Sequence, residues 1–392
     1  MRMKIALLLV LSISLAGQSA YYRLGYGDLF PATDPIVSGV GTGVIALQDS
    51  MLINIHNPAT LNNLNRVYFG GYLGSEYRSV SEVMSNNTRL EQVSFALPLG
   101  SNFGMSLGAH AVSDFKSNYA VELGDILLNE NSSGGIWDYQ IGLGYALNPS
   151  LSLGIKLHAL RGQFRRESIL TSDSQAEMYV LKGTVSGKSL ELGMVSQLGQ
   201  KVSLGFTADI VTKTPKYEGQ DSLAGTYEYA EISEDLAAWP TTIKLGVIYH
   251  HSQRLKIVTG IAQQMFSESG FDDARIFALP EGWHTVPAAS FQSSVLSIAA
   301  DRNSRQILKR LGWQAGISFK NYYLASSSDK LFYEMAFISG INVGIRSGKS
   351  LFAISGEFGS RSGDESLPEE LFARMKFGIQ VNDIWFRKVK RR

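Results

Sequence analysis

The feature that most constrains this chain is a two-residue alternation, repeated in segments of about ten residues. Leu151-Ser152-Leu153-Gly154-Ile155-Lys156-Leu157-His158-Ala159 puts Leu, Ile and Ala on one side of an extended chain and Ser, Gly, Lys and His on the other. Val202 to Ile210, Phe103 to His110 and Trp313 to Lys320 repeat the pattern. So does the stretch from Leu371 to Asn382, with Leu371, Ala373, Met375, Phe377, Ile379 and Val381 set against Phe372, Arg374, Lys376, Gly378, Gln380 and Asn382. Successive strand side chains point to opposite faces, so each segment has one apolar and one polar face. A soluble sandwich turns the apolar face inward, and a membrane barrel turns it outward to lipid. The segment length selects the barrel: a tilted strand needs about ten residues to cross a bilayer, whereas ordinary strands run to about five or six.

The alternation marks about fourteen candidate strands, near 66–74, 89–99, 102–112, 136–147, 150–161, 188–198, 201–211, 240–250, 254–265, 289–299, 311–323, 330–345, 350–359 and 370–386. Short turns follow the even strands, at Leu99-Gly100-Ser101, Asn148-Pro149, Gly199-Gln200 and His250 to Gln253. Long polar segments follow the odd ones, at 75–88, 113–135, 162–187, 212–239 and 266–288, and are expected as loops. An even strand count with the N-terminus in the periplasm gives this order, because outer-membrane barrels have short periplasmic turns and long outer loops. Aromatic pairs at expected strand ends, Tyr68-Phe69, Trp239-Pro240, Tyr322-Tyr323 and Trp385-Phe386, suit the membrane interface or ordinary core packing.

The first twenty residues read as a cleaved export signal. Arg2 and Lys4 precede an apolar run from Ile5 to Ala16, and small residues place cleavage after Ala16 or Ala20. The run is about a dozen residues, short of the ~20 that a spanning helix needs. The expected organisation is a signal peptide over 1–20, a plug over 21–65, a barrel over 66–386 and a basic periplasmic tail over 387–392. The plug is expected because roughly eight strands already give an interior that side chains just fill, so a wider barrel needs further filling. The alternative for 21–65 is a disordered periplasmic arm. Gly39, Gly41 and Gly43 let backbone pass close to a wall. Pro58 pushes Asn57 into an extended shape at the exit into the first strand.

Other chemistries find little support. The chain carries 36 Lys and Arg against 35 Asp and Glu, without the basic excess of a nucleic-acid binder. It has no Cys, which removes disulfides, thiolate nucleophiles and an N-terminal lipid anchor. Gly39-Val40-Gly41-Thr42-Gly43 lacks the preceding strand and the third Gly spacing of a dinucleotide loop. The histidines at 56, 110, 158, 250, 251 and 284 show no metal-ligand spacing, and His250-His251 is expected in a solvated turn. No nucleophile sits beside a base in any recognisable motif, so neither enzymatic activity nor a cofactor nor a metal is expected. The residues expected to face the lumen are Lys156, His158, Asp209, Gln314, Lys320, Arg374 and Lys376. A charge on the lipid face at mid-membrane costs roughly 2–4 kcal/mol.

Two stretches carry a family resemblance. One is Gly39-Val40-Gly41-Thr42-Gly43-Val44-Ile45-Ala46-Leu47-Gln48-Asp49, continuing to Asn57-Pro58-Ala59-Thr60-Leu61. The other runs from Phe377 to Lys388. Together they resemble the FadL-like superfamily of outer-membrane proteins, which includes fatty acid and aromatic-hydrocarbon transporters and the PorV-type barrels of Bacteroidota. The resemblance implies an all-β, fourteen-strand antiparallel transmembrane barrel in the bacterial outer membrane, with the N-terminal segment folded inside as a hatch. Gly39, Gly41, Gly43, Asp49, Asn57, Pro58 and Ala59 would belong to that plug motif. The implied function is passive uptake of hydrophobic or amphipathic small molecules, and the alternative is a PorV-type barrel that docks a partner in secretion or surface attachment. Expected partners are outer-membrane lipid and lipopolysaccharide, a hydrophobic ligand, the barrel assembly machinery and, on the alternative reading, a secretion partner protein.

Overall fold

A computed structural model describes residues 26–29, 34–49, 52–80, 83–123, 126–171, 176–223, 229–235, 240–266, 282–300, 308–345, 350–363 and 369–383. The expected signal peptide, the basic tail, Trp239 and Trp385-Phe386 lie outside the described residues.

Fourteen antiparallel strands close on themselves. Around the wall they are β1 Val67–Val80, β2 Val83–Pro98, β3 Phe103–Asp114, β4 Ile126–Asn148, β5 Leu151–Thr171, β6 Ala176–Leu198, β7 Val202–Leu223, β8 Thr241–His250, β9 Leu255–Met265, β10 Ala288–Ala300, β11 Leu308–Ala325, β12 Leu331–Ile345, β13 Ser350–Ser362 and β14 Glu370–Asp383. Closure comes from β14 pairing with β1, from Glu370↔Val80 to Asp383↔Val67. A closed antiparallel ladder pairs its own backbone groups and leaves no free edge, which is the condition for crossing lipid with strands. The alternation places side chains as the pattern requires. Leu157, Ile317, Ile341 and Phe358 stand exposed on the outside, while Ser106, Lys156, Gln314 and Gln380 are buried inside.

The connections differ from the expectation in one respect. Most of the polar segments expected as loops continue as paired strand. β5 and β6 run for 21 and 23 residues, and their pairing persists to Thr171↔Ala176. Residues 75–88 extend the β1–β2 hairpin to Val80↔Val83. Residues 113–135 contain Ser117–Leu123 paired to the start of β4, and 212–239 contain the end of β7 paired to Tyr229–Asp235. About ten residues cross a bilayer. Beyond that height the outer faces leave the lipid and turn charged, as at Arg161, Arg165, Lys182 and Lys188, while the inner faces still bury Leu160, Phe164, Leu181 and Val185, so the apolar outer stripe stops while the backbone ladder goes on. The result is a tall sheet of β4 to β7 standing above one side of the barrel.

Candidate functional site

The described residues before β1, 26–29, 34–49 and 52–66, lie along the inner face of the wall. Tyr26 sits at the outer end, where its N–H donates to the Tyr323 hydroxyl at 2.8 Å. Two 3-10 turns follow, at Ser38–Ala46 and Pro58–Asn63, the first kinked at Gly41 with φ 55°. Glycines on the wall make room for them. Gly104, Gly144, Gly154 and Gly193 are in register across β3 to β6, and Gly205, Gly246 and Gly260 across β7 to β9. A Cβ at Gly205 would sit 2.6 Å from the Ala46 nitrogen, inside contact distance.

Polar wall side chains take up the segment's backbone groups, as buried backbone requires. Gln292 donates to the Gly39 carbonyl at 3.0 Å, and Gln314 to the Pro35 carbonyl at 3.1 Å. Gln380 accepts from the Ile53 N–H at 3.0 Å. Asn57 is the central fastener. Its Oδ1 accepts from the Ala59 N–H at 3.0 Å, and its Nδ2 donates to the carbonyls of Ile45 at 2.8 Å and Met194 at 3.0 Å. Loss of a cap costs about 0.5–2 kcal/mol, and unpaired buried groups add about 1–3 kcal/mol. Asn57→Ala is therefore expected to destabilise the docked segment by about 2–4 kcal/mol. Limited proteolysis of the detergent-solubilised protein tests this, since a released segment is cut within residues 34–64; a wild-type digestion pattern refutes it.

Between segment and wall lies a cavity of about 280 Å³. One side is polar: His56, His110, Asp138, Gln140, Lys156, His158, Glu191, Asp209 and Lys244. His158 Nδ1 lies 2.6 Å from Asp138 Oδ2, and Lys156 Nζ lies 2.8 Å from Glu191 Oε1. Burial first, then the cations Lys244 and Lys156, holds the His56 pKa well below the usual histidine value, so this ring is neutral. The Nε2 atoms of His56 and His158, Asp138 Oδ1, Gln140 Oε1 and Asp209 Oδ1 have no hydrogen-bond partner in the protein. The other side is apolar: Leu29, Val112, Leu160, Ala288, Tyr322 and Tyr323. Above it lies an aromatic cluster in which Phe266 stacks on Tyr323 at 4.6 Å and Trp283 on Phe332 at 5.2 Å.

The wall has a seam beside this cavity. β2 and β3 pair from Pro98↔Gly104 only as far as Gln92↔His110. At that height each strand carries an irregularity, β2 at Glu91 and β3 at Val112. Above it β2 stays with β1, β3 stays with β4, and Asp28–Leu29 pairs with Asp114 and Ser113 of β3. A side-chain hydrogen bond from Asn87 Nδ2 to Asp114 Oδ2 at 2.7 Å bridges the two edges.

The opposite part of the lumen carries an ion network, with a smaller cavity of about 80 Å³ between it and Ser38, Gly41 and Thr42. Glu334 accepts from Arg361 at 2.7 Å and Arg374 at 2.9 Å, and lies 2.8 Å from Lys320 Nζ. Arg78 bridges Glu76 and Glu370, the latter at 2.6 Å, and Lys376 pairs with Glu91 at 3.1 Å. Arg361 lies over the Tyr322 ring at 5.3 Å, joining the network to the aromatic cluster.

The residues singled out from the sequence thus do different jobs. Lys156, His158 and Asp209 line the cavity; Lys320, Arg374 and Lys376 belong to the ion network, with Lys320 bordering both; and Gln314 holds the segment's backbone. Gly39 packs on Gln314, Gly41 on Gln292 and Gly43 on Val258, while Asp49 is half-buried. Pro58 and Ala59 are buried against wall glycines. One expectation is corrected: His250 is not free in a turn but ends β8 with Nε2 2.9 Å from Ser203 Oγ. Of the two alternatives for Tyr322 and Tyr323, the structure has core packing: both point into the aromatic cluster, because the β11–β12 register shifts between Asn321 and Ala325. Asp138, Glu191, Lys244, Glu334 and Arg361 escaped notice. Each is a charge on the inner parity of its strand, a signal the alternation contains once strand ends are known.

This fold and its apolar outer band define a closed fourteen-strand membrane β-barrel. A match of the BamG family model over residues 1–391 shows that the chain belongs to the BamG family. Among solved structures it is similar to the CymD monoaromatic hydrocarbon channel, with TM-score 0.57 and 12% identity over 94% of this chain and 100% of that one. It is also similar to a Pseudomonas aeruginosa FadL homologue, with TM-score 0.58 and 11% identity over 94% and 98% of the chains. The Pseudomonas putida toluene transporter TodX matches with TM-score 0.57 and 12% identity over 93% and 100%. No curated protein matches the chain.

Proposed function

We propose that the barrel takes up small amphipathic molecules that carry one ring or a short apolar chain, with residues 21–65 acting as a plug. The observation that carries this reading is the two-sided cavity between segment and wall. An engineered cavity of ~150 Å³ holds a benzene, so a cavity of about 280 Å³ admits a ring with a polar substituent, whereas an extended long acyl chain would overfill it. The apolar side faces the aromatic cluster, and the polar side offers unpaired acceptors and cations to a headgroup. Release goes sideways: Asp28–Leu29 leaves β3, the Asn87–Asp114 bond breaks, and the molecule passes between β2 and β3 into the membrane. That the similar structures include channels for monoaromatic hydrocarbons and toluene supports this reading.

A second reading follows from the family, whose name hints at an association with the barrel assembly machinery. On that reading the protein docks a partner, as a PorV-type barrel would. Uptake of labelled alkylbenzene and short-chain fatty acid into a deletion strain separates the two. Transport predicts slowed uptake, restored by the wild-type chain and not by Leu160→Arg, which places a charge on the apolar side of the cavity. Unchanged uptake, with outer-membrane or secreted proteins accumulating in the periplasm, overturns transport in favour of docking.

A further inference from the structure

The outward face of β5 to β7 changes character at one height. Below it stand Leu157, Leu192 and Ile210, each exposed on the apolar band. Immediately above stand Arg161 and Arg165 on β5, Lys182 and Lys188 on β6, and Lys213 on β7, all exposed and all on the outward parity. Trp137 of β4 lies directly beside Arg161, at the level where an indole marks a membrane interface. The opposite flank carries Phe319, Met335, Phe358 and Leu371 near its outer end, exposed and uncharged.

The register makes this patch costly by itself. Arg165 lies directly opposite Lys182, and Lys188 directly opposite Lys213. Like charges facing each other across a ladder destabilise it. Glu167 pairs with Arg165, and among the described residues the lower group of Arg161, Lys188 and Lys213 makes no ion pair. Strands lie about 4.8 Å apart and residues rise about 3.3 Å each, so the five cations fall within an area of about 20 Å along the strands and about 10 Å across them. We propose that this patch binds a phosphorylated glycolipid of the outer leaflet. Its phosphates sit between the facing cations, and its acyl chains lie down the apolar band below. The position directly above lipid-facing side chains favours a lipid headgroup over free phosphate, because a lipid contributes burial and charge together. Lysine and arginine stems reach the boundary while keeping their heads in the polar layer.

The test uses the full-length protein in detergent and a fluorescent diphosphorylated hexa-acyl diglucosamine. The probe is expected to bind the wild-type protein saturably and to bind Arg161→Gln/Lys188→Gln/Lys213→Gln roughly 100-fold more weakly, since each surface cation near anionic lipid contributes a several-fold factor. Lys116→Gln/Lys330→Gln, which removes exposed cations elsewhere, is expected to bind like wild type. The single variant Lys188→Gln is expected to lose about fivefold, and it serves if the triple variant does not fold. Three results overturn the proposal: equal binding by the cation variants and wild type; equal binding of the dephosphorylated lipid; or displacement of the probe by inorganic phosphate at the lipid's own concentration.

Discussion

Replacing Glu334 by Ala is expected to lower the stability of the barrel by about 3–5 kcal/mol, because removing one partner of a buried ion pair leaves the others uncompensated. Glu334 is buried and holds Arg361, Arg374 and Lys320 within 2.9 Å. Arg361 and Arg374 are themselves buried, so neither guanidinium can turn to water. Glu334→Gln is expected to do nearly as badly, since it keeps the volume and removes the charge. The exposed pair Arg165–Glu167 gives the contrast: breaking it is expected to cost only about 0.2–1 kcal/mol. Urea unfolding of the protein in lipid vesicles, followed by the heat-shifted gel band of the folded barrel, measures all three variants. A loss below 1 kcal/mol for Glu334→Ala would mean that the network is solvated and the lumen wetter than its geometry allows.

Such a network does not exist chiefly to add stability, since a well-packed apolar core often does as well. Its place suggests another use. Arg78, Glu76, Glu334, Glu357, Arg361, Glu370 and Arg374 come from β1 and β12 to β14. They line the side of the lumen formed by β1 and β12 to β14 with groups whose partners are fixed in space. What remains open is the larger cavity bounded by β3 to β11, which reaches the seam at His110 and Val112, and a smaller space between the network and Ser38 to Thr42.

The fold was legible in the sequence where lipid touches one face and the lumen the other. Leu151 to Ala159 shows the alternation because only one side of β5 is dry. Gly162 to Thr171 continues the same strand and does not show it, since its outer face meets water, with Arg165 exposed, while its inner face buries Phe164 against the aromatic cluster. The site was legible only by half. Lys156 and His158 declare their inward direction by parity, but their partners Glu191 and Asp138 come from neighbouring strands and require the register. Arg78 and Glu370 stand 292 positions apart, and nothing local to either names the other. Tyr322 and Tyr323 failed the alternation rule for a definite reason: a register shift turns adjacent side chains to one side, which a strict period of two forbids.

Removing residues 25–55 is expected to raise single-channel conductance in planar bilayers by on the order of tenfold, because a wall of this strand number encloses more than side chains fill. Its described residues are bound to lumen-facing groups at Pro35, Gly39 and Ile53, by Gln314, Gln292 and Gln380, and pack on the glycine rows. Its removal opens the part of the lumen that the ion network leaves free. The rival reading, a periplasmic arm that swings clear of the barrel, requires the same conductance with and without these residues. A truncated chain that no longer folds is recognised by loss of its heat-shifted band. In that event Gly205→Leu carries the test, since a side chain there collides with the Ala46 backbone and lifts the segment from the wall while leaving every residue in place. Raised conductance in either variant supports a plug, and a folded variant that conducts like the intact protein rules the plug out.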